Sequence, residues 1–183
     1  MRSQSRTSAL SIDQTDNHSD PQSRRETRPI GQQEAQFLLK HFGEHIVALI
    51  QYGSTVFGRT RKGSTPDFWV IVDDLVRFHH NPLMRLVQKE NTGDPPAEHI
   101  RLNRGGPNYY SLARDNLRMK LAVIDRQDFV RLCRSELYFV KGRMQKPLRI
   151  IHSAPDVDTA IQDARRDGVR EALNLLGTEF TFR

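Results

Sequence analysis

The sequence predicts an α/β fold, and three observations carry that prediction. Phe68 to Val72 is an unbroken apolar run, the pattern of a strand buried on both faces. The stretch "YYSLARDNLRMKLAVID" alternates apolar and polar residues around an Asp115-Asn116 pair, the pattern of a hairpin. Apolar residues recur at helical spacing before and after these strands, in Gln32 to Phe42 and again beyond Asp156.

Residues 1–28 are rich in Ser, Gln, Arg, Asp and Thr and nearly lack large apolar side chains, so they cannot offset their own ordering entropy and read as a disordered tail. Arg2 and Arg6 come without an acid, but Asp13, Asp16, Asp20 and Glu26 follow, which argues against a transit peptide. Ala35, Leu38, Leu39 and Phe42 mark the apolar side of a first helix that Gly43 stops. A strand follows over Ile46 to Tyr52, and Gly53-Ser54 breaks it. The loop Arg59 to Pro66, flanked by Gly58 and carrying Gly63, leads into the second strand, Phe68 to Val72. Asp73 or Asp74 caps a helix near Leu75, and Pro82 limits it to about two turns before helix resumes over Leu83 to Glu90.

Residues 91–107 are rich in Gly, Pro and Asp and read as irregular. In the hairpin, Leu117, Met119, Leu121 and Val123 share one face, which turns Arg118 and Lys120 to the other. Asp125 with Asp128 forms a loose capping box for a helix running through Leu132 to about Leu137. "LYFVKGRMQKPLRII" reads as a basic, Gly-centred turn between two short apolar stretches. Asp156 opens a last helix whose buried side is Val157, Ala160, Ile161, Ala164, Leu173 and Leu176, ended by Gly177.

The 183 residues suffice for one domain with a real core or two small ones sharing an interface, and the 37% hydrophobic content favours one core in a polar frame. A net charge of +6 favours anionic partners: nucleotides, nucleic acid or an acidic lipid surface. The basic residues are scattered among elements and no RNA-binding aromatic signature occurs, which disfavours nucleic acid. A lone Cys133 within Phe129, Val130 and Leu132 reads as a buried structural thiol; with no intrachain disulfide available, a reducing compartment is favoured. No apolar run approaches the roughly 18 residues that cross a bilayer, so membrane contact is expected to be peripheral.

The chemistry concentrates in "QYGSTVFGRTRKGSTPDFWVIVDD". A strand that ends in Gly53-Ser54 offers backbone N–H groups, and the Ser54 hydroxyl, to a phosphate. Asp67 stands at the mouth of the next strand, where a carboxylate can bind the Mg2+ that polyphosphate chemistry uses. Asp73 lies at the far end of that strand, roughly 20 Å away, and cannot share a metal site with it.

Gly-Ser, a variable loop, then Asp followed by apolar residues resembles the polymerase-beta type nucleotidyltransferase superfamily. That resemblance implies a mixed sheet with flanking helices and attack on the α-phosphate of a nucleoside triphosphate. The superfamily usually carries two carboxylates on the strand, whereas Asp67 here is flanked by Thr65 and Trp69; a second acid would have to come from elsewhere, Asp115 being a candidate.

A narrower resemblance covers about Ile46 to Ile151. "YGSTVFG", "DFWVIVDD", Phe78-His79 with Asn81, "GPNYYSL", "LRMKLAVID" and above all "LYFVKGRMQKPLRII" are similar, in order, to the mitochondrial translocator assembly and maintenance family. Those proteins are phosphatidate cytidylyltransferases with bacterial relatives. The chain has Phe78-His79 where the family has Trp-His, lacks a His-Tyr-Ser motif after Asn81, and ends soon after the Asp156 helix, which reads as a shortened C-terminal part.

The resemblance implies a nucleotidyltransferase-like domain over residues 32–114, completed by a small helical or winged-helix-like part over 115–183. It implies the reaction of CTP with phosphatidate to give CDP-diacylglycerol and pyrophosphate, with Mg2+. Gly53, Ser54 and Arg143 would bind the nucleotide, Asp67 the metal, and Lys120 and Lys146 would act with Asp67 as catalytic groups that neutralise phosphate charge. Phosphatidate in an anionic membrane is the implied second partner, reached from the cytoplasmic side of a bacterial inner membrane or from the mitochondrial matrix face. Rival readings are transfer to a soluble acceptor, and a truncated relative that binds nucleotide without chemistry. His79-His80 reads as a polar helix face, since adjacent residues diverge on a helix.

Overall fold

A computed structural model describes residues 29–57, 64–92, 102–135 and 138–181; the expected tail over residues 1–28 and most of the loop from Arg59 to Pro66 lie outside the described residues. Strand β1 (Ile46–Tyr52) pairs antiparallel with β2 (Asp67–Val72) on one side and with β5 (Leu148–Ser153) on the other. β2 pairs parallel with β4 (Leu117–Asp125), which closes a hairpin with β3 (Asn108–Arg114). The result is a five-stranded mixed sheet in the order β3-β4-β2-β1-β5.

Helices cover both faces. α1 (Gln32–Phe42), α2 (Leu75–His80) and α3 (Pro82–Thr92) bury Leu38, Phe42, Phe78, Met84 and Val87 against Leu49, Phe68, Val70, Leu121 and Val123. α4 (Arg126–Cys133), α5 (Tyr138–Met144) and α6 (Pro155–Thr181) bury Phe129, Cys133, Val140, Met144, Val157 and Ile161 against Ile50, Trp69, Ile71, Ala122 and Ile124. β2 therefore has core on both sides, as its unbroken apolar run requires. Cys133 is buried, and burial pushes its thiol up to about 12, so it serves as core.

The strand and hairpin expectations hold closely. Asp115 and Asn116 adopt φ of 50° and 67°, the left-handed pair of a tight hairpin turn. Asp74 caps α2 by accepting from the Arg77 N–H at 2.9 Å, and Asp125 caps α4 by accepting from the Gln127 N–H at 2.8 Å. The boundary expected near Arg114 falls inside the β3–β4 hairpin, and β5 forms the opposite edge of the same sheet.

Four readings need correction. α4 stops at Cys133 rather than Leu137, because the Ser135 hydroxyl and N–H both turn back to the Leu132 carbonyl. The expected Gly142 turn is helix α5: Val140 and Met144 are fully buried on the sheet, and that packing outweighs the roughly 1 kcal/mol cost of a helical glycine. The turn comes instead at Gln145 and Lys146, where the Lys146 N–H meets the Arg143 carbonyl at 3.2 Å ahead of Pro147 and β5.

α6 runs past Gly177 to Thr181, and Leu173 and Leu176 are 63% and 52% exposed; its fully buried stripe ends at Ala164, beyond which it meets Lys141 and Gln145 through Asp167, Gly168 and Glu171. His79 is fully buried. Its Nδ1 faces the Leu75 carbonyl at 2.6 Å and so carries the proton, while Nε2 accepts from the Tyr110 hydroxyl at 2.9 Å. Burial holds it below the usual histidine pKa, consistent with a neutral ring spanning α2 and β3.

Candidate functional site

The register of the sheet builds the site. Leu148, Tyr52, Asp67, Lys120 and Ser111 are successive partners across β5, β1, β2, β4 and β3, a transverse row at one end of the sheet. Partners in such a row point to the same face. Here it is the face that carries Ile50, Trp69 and Ala122, covered further along by α4, α5 and α6. The Pro66 carbonyl accepts from the Lys120 N–H at 2.9 Å, which extends the β2–β4 pairing to the mouth.

Gly53 follows Tyr52 with φ of +85°, and a Cβ placed on it would lie 3.3 Å from Asp67 Oδ2. Glycine thus serves both the left-handed backbone and the close approach to the carboxylate. Ser54 is exposed and opens a single 3-10 turn, Ser54–Phe57, whose Val56 N–H is taken by the Gly53 carbonyl at 3.3 Å.

α5 closes the other side. The Arg143 guanidinium sits 5.4 Å from the Tyr52 ring centroid and 5.2 Å from that of Phe139, a cation held between two rings. Tyr109 meets Phe139 edge-on at 6.2 Å, and these two rings are 52% and 46% exposed, so the site opens on an aromatic rim. Phe139, Gly142, Arg143, Gln145 and Lys146 line a cleft of about 670 Å³ on this side of α5.

The electrostatics follow from half-burial. Burial pushes the Asp67 carboxyl above its ordinary range, and the positive charges of Lys120 and then Arg143 pull it back. Burial, with the Asp67 charge beside it, pushes the Tyr52 phenol up to about 12 against the opposing pull of Arg143, so Tyr52 remains a neutral hydroxyl at neutral pH. Burial likewise raises Tyr109, again opposed by Arg143.

Of the residues expected from sequence, Gly53, Asp67, Lys120 and Arg143 converge on this point. Ser54 adjoins it through the chain, and Lys146, two residues past the end of α5, lines the cleft it shares with Arg143. Tyr52, Tyr109 and Phe139 were not anticipated. Tyr109 was legible in the strand alternation that buries Tyr110 and exposes its neighbour, whereas the Phe139–Arg143 spacing of four becomes a signal only once α5 is read as a helix.

No group of three or more His, Cys, Asp and Glu side chains that could hold a metal stands together among the described residues. Asp67 alone does not make a protein cage, but it fits Mg2+, which binds through one or two carboxylates together with substrate phosphates and water. Asp115 is placed in the hairpin turn, and the charges that act on Asp67 are cationic. Asp73 and Asp74 line a different cleft, of about 410 Å³, with Asp125 and Asp128. There the Asp74 and Asp125 carboxylates cap helices, and Asp128 accepts from the Gly105 N–H at 2.9 Å.

The Asp67–Lys120 coupling is open to measurement without substrate or metal. In a chelator, Lys120→Met removes a charge that opposes the burial cost of the Asp67 carboxylate. Its melting temperature is expected to fall further below wild type as pH rises through the carboxylate range. In an Asp67→Asn background the same substitution should have no pH-dependent effect. A coupling of about 0.5 kcal/mol is expected, since solvent screens exposed Lys120. Equal effects in both backgrounds would show that the two charges do not interact.

None of the curated proteins matches the chain. A family model described as phosphatidate cytidylyltransferase, mitochondrial, matches residues 35–183, which takes in every strand and helix described above except the first three residues of α1. With the match extending over most of its length and across the whole strand-mouth cluster, the chain belongs to the mitochondrial phosphatidate cytidylyltransferase family.

Proposed function

We propose that the protein is a CTP:phosphatidate cytidylyltransferase, making CDP-diacylglycerol and pyrophosphate. The observation that carries this reading is the cluster at the strand mouth, where Asp67 lies beside Gly53 and between the charges of Lys120 and Arg143. A nucleoside triphosphate needs a close backbone approach, cations for its oxygens and a carboxylate for its metal, and the cluster supplies all of these.

In the reaction a phosphate oxygen of phosphatidate attacks the α-phosphorus of CTP. The new P–O bond forms as the bond to the bridging oxygen breaks, and pyrophosphate leaves with that electron pair. The attacking oxygen belongs to a phosphate monoester already ionised near neutral pH, so no side chain has to remove a proton from it. Lys120 and Arg143 offset the negative charge that two phosphate groups bring together, and Tyr52 holds Arg143 in place beneath its guanidinium. Gly53 and Ser54 supply backbone and hydroxyl donors to the triphosphate. Asp67 would hold Mg2+, which neutralises polyphosphate charge when bound.

The acceptor is a membrane lipid, and no helix among the described residues is long and apolar enough to cross a bilayer. The reading has the protein working at a membrane surface; the word mitochondrial in the family description supports the mitochondrial alternative, which we place at the matrix face of the inner membrane, over a bacterial inner membrane. The test is pyrophosphate release by purified protein with Mg2+, CTP and phosphatidate vesicles. Release that depends on phosphatidate supports the reading. Release with a water-soluble phosphate monoester but not with vesicles would establish transfer to a soluble acceptor instead. Nucleotide binding without any release would overturn catalysis altogether.

A further inference from the structure

α5 divides its side chains among distinct surroundings. Val140 and Met144 are fully buried on the sheet. Lys141 and Gln145 turn to α6, Lys141 Nζ reaching Glu171 Oε1 at 2.9 Å and Asp167 Oδ2 at 3.4 Å, and Gln145 Nε2 donating to the Ala164 carbonyl at 3.3 Å. Close packing adds to this anchor, since a Cβ on Gly168 would stand 2.6 Å from Gln145 Cδ. The helix is thus fixed on two sides, and its remaining side faces outward.

That outward side, with Phe139 and Arg143 one helical turn apart, lines the cleft of about 670 Å³ together with Lys146, two residues past the end of the helix. The cleft has the size of a small-molecule site. Two cations and no carboxylate stand among its described lining residues, so it selects for an anion, and the half-exposed Phe139 ring selects for an apolar group next to that anion. Arg143 belongs both to this cleft and to the Asp67 cluster. An anion seated on Arg143 and Lys146 is therefore adjacent to whatever Asp67, Gly53 and Lys120 hold.

We propose that this cleft is the acceptor subsite: it takes a phosphate monoester on an apolar body, the phosphate on Arg143 and Lys146 and the apolar part against Phe139. This rests on the transferase reading above and divides its site into a nucleotide side on the sheet and an acceptor side on α5. Arg143 at the junction offsets the repulsion between the two phosphates.

The experiment measures binding to the full chain of CTP, inorganic phosphate, glycerol 3-phosphate and short-chain dihexanoyl phosphatidate below its micelle concentration. Lys146→Ala is expected to weaken dihexanoyl phosphatidate and glycerol 3-phosphate about tenfold, the loss of one charge-assisted hydrogen bond, and to leave CTP within about twofold of wild type. Phe139→Ala should weaken dihexanoyl phosphatidate by a larger factor than glycerol 3-phosphate, since it removes the apolar contact for the one and, for both, only one of the two rings beside Arg143. Inorganic phosphate binding as tightly as dihexanoyl phosphatidate would overturn the apolar half of the assignment. Lys146→Ala weakening CTP as much as the monoesters, or leaving the monoesters unchanged, would overturn the cleft as acceptor subsite.

The outcome is separable from that of the activity test. Lys146-dependent monoester binding by a protein that releases no pyrophosphate would sustain the cleft and sink the activity. An active enzyme whose KM for phosphatidate is indifferent to Lys146→Ala would do the reverse.

Discussion

Asp67→Asn is expected to lower kcat/KM for cytidylyl transfer by about 10³-fold, while the variant stays folded and melts at or above the wild-type temperature at neutral pH. The amide keeps the shape and one acceptor oxygen of the carboxylate but loses the charge that binds a divalent cation. The stability half of the prediction comes from linkage. Burial raises the folded-state pKa of Asp67. Stability associated with its proton is therefore fully present below the unfolded carboxyl value and is lost as pH rises through the folded value. At neutral pH the ionised carboxylate costs the fold something, and the amide removes that cost. Melting curves of variant and wild type should converge at acid pH and separate, variant uppermost, toward neutrality. An Asp67→Asn enzyme with activity within tenfold of wild type would remove Asp67 from the metal.

Trp69 should show the largest effect on stability. It is fully buried on the α4–α6 face of β2, its ring 5.8 Å from Tyr52 and 5.9 Å from Phe129. Trp69→Ala opens a cavity among fixed elements and is expected to cost about 3–5 kcal/mol, a large share of the roughly 5–15 kcal/mol typical of a domain. Trp69→Phe should cost about 1 kcal/mol or less. The indole Nε1 is buried without a hydrogen-bond partner among the described residues, so its loss relieves an unsatisfied donor while the smaller ring retains most of the packing. Urea unfolding midpoints at unchanged m-value measure both. A Phe variant as damaged as the Ala variant would mean that Nε1 has a partner after all. Trp69 also supports the Tyr52 ring on which Arg143 rests, so Trp69→Ala should lose activity beyond its loss of folded protein.

The parts of the fold that sequence revealed are those set by neighbours in the chain. β1, β2 and the β3–β4 hairpin were legible from alternation, apolar runs and the Asp115-Asn116 turn, and α1 from its spacing and Gly43. Asp67, Gly53 and Lys120 each stand out in the sequence as candidates, but nothing local says that Asp67 and Lys120 are partners on adjacent parallel strands. α5 was hidden because Gly142 signals a turn, and only burial of Val140 and Met144 shows why the helix survives it. α6 misled in the opposite way. Leu173 and Leu176 continue the apolar period, but a period says nothing of how far the opposing surface extends. His79 looked like surface because its partners, the Leu75 carbonyl and the Tyr110 hydroxyl, are supplied by the fold.

The parallel pairing of β2 with β4 has a consequence for when the protein becomes competent. Asp67 and Lys120 are separated in the chain by α2, α3 and the whole of β3, and Arg143 comes later still. Pairings between such distant segments carry the loop-closure cost that makes them slow to form. A nascent chain that has emerged only as far as the hairpin turn carries Gly53 and Asp67 but neither Lys120 nor Arg143. Competence should therefore arrive as a single late event, when β4 docks along β2 and α5 settles over Tyr52, so that recovery of activity on refolding reports completion of the sheet rather than its beginnings.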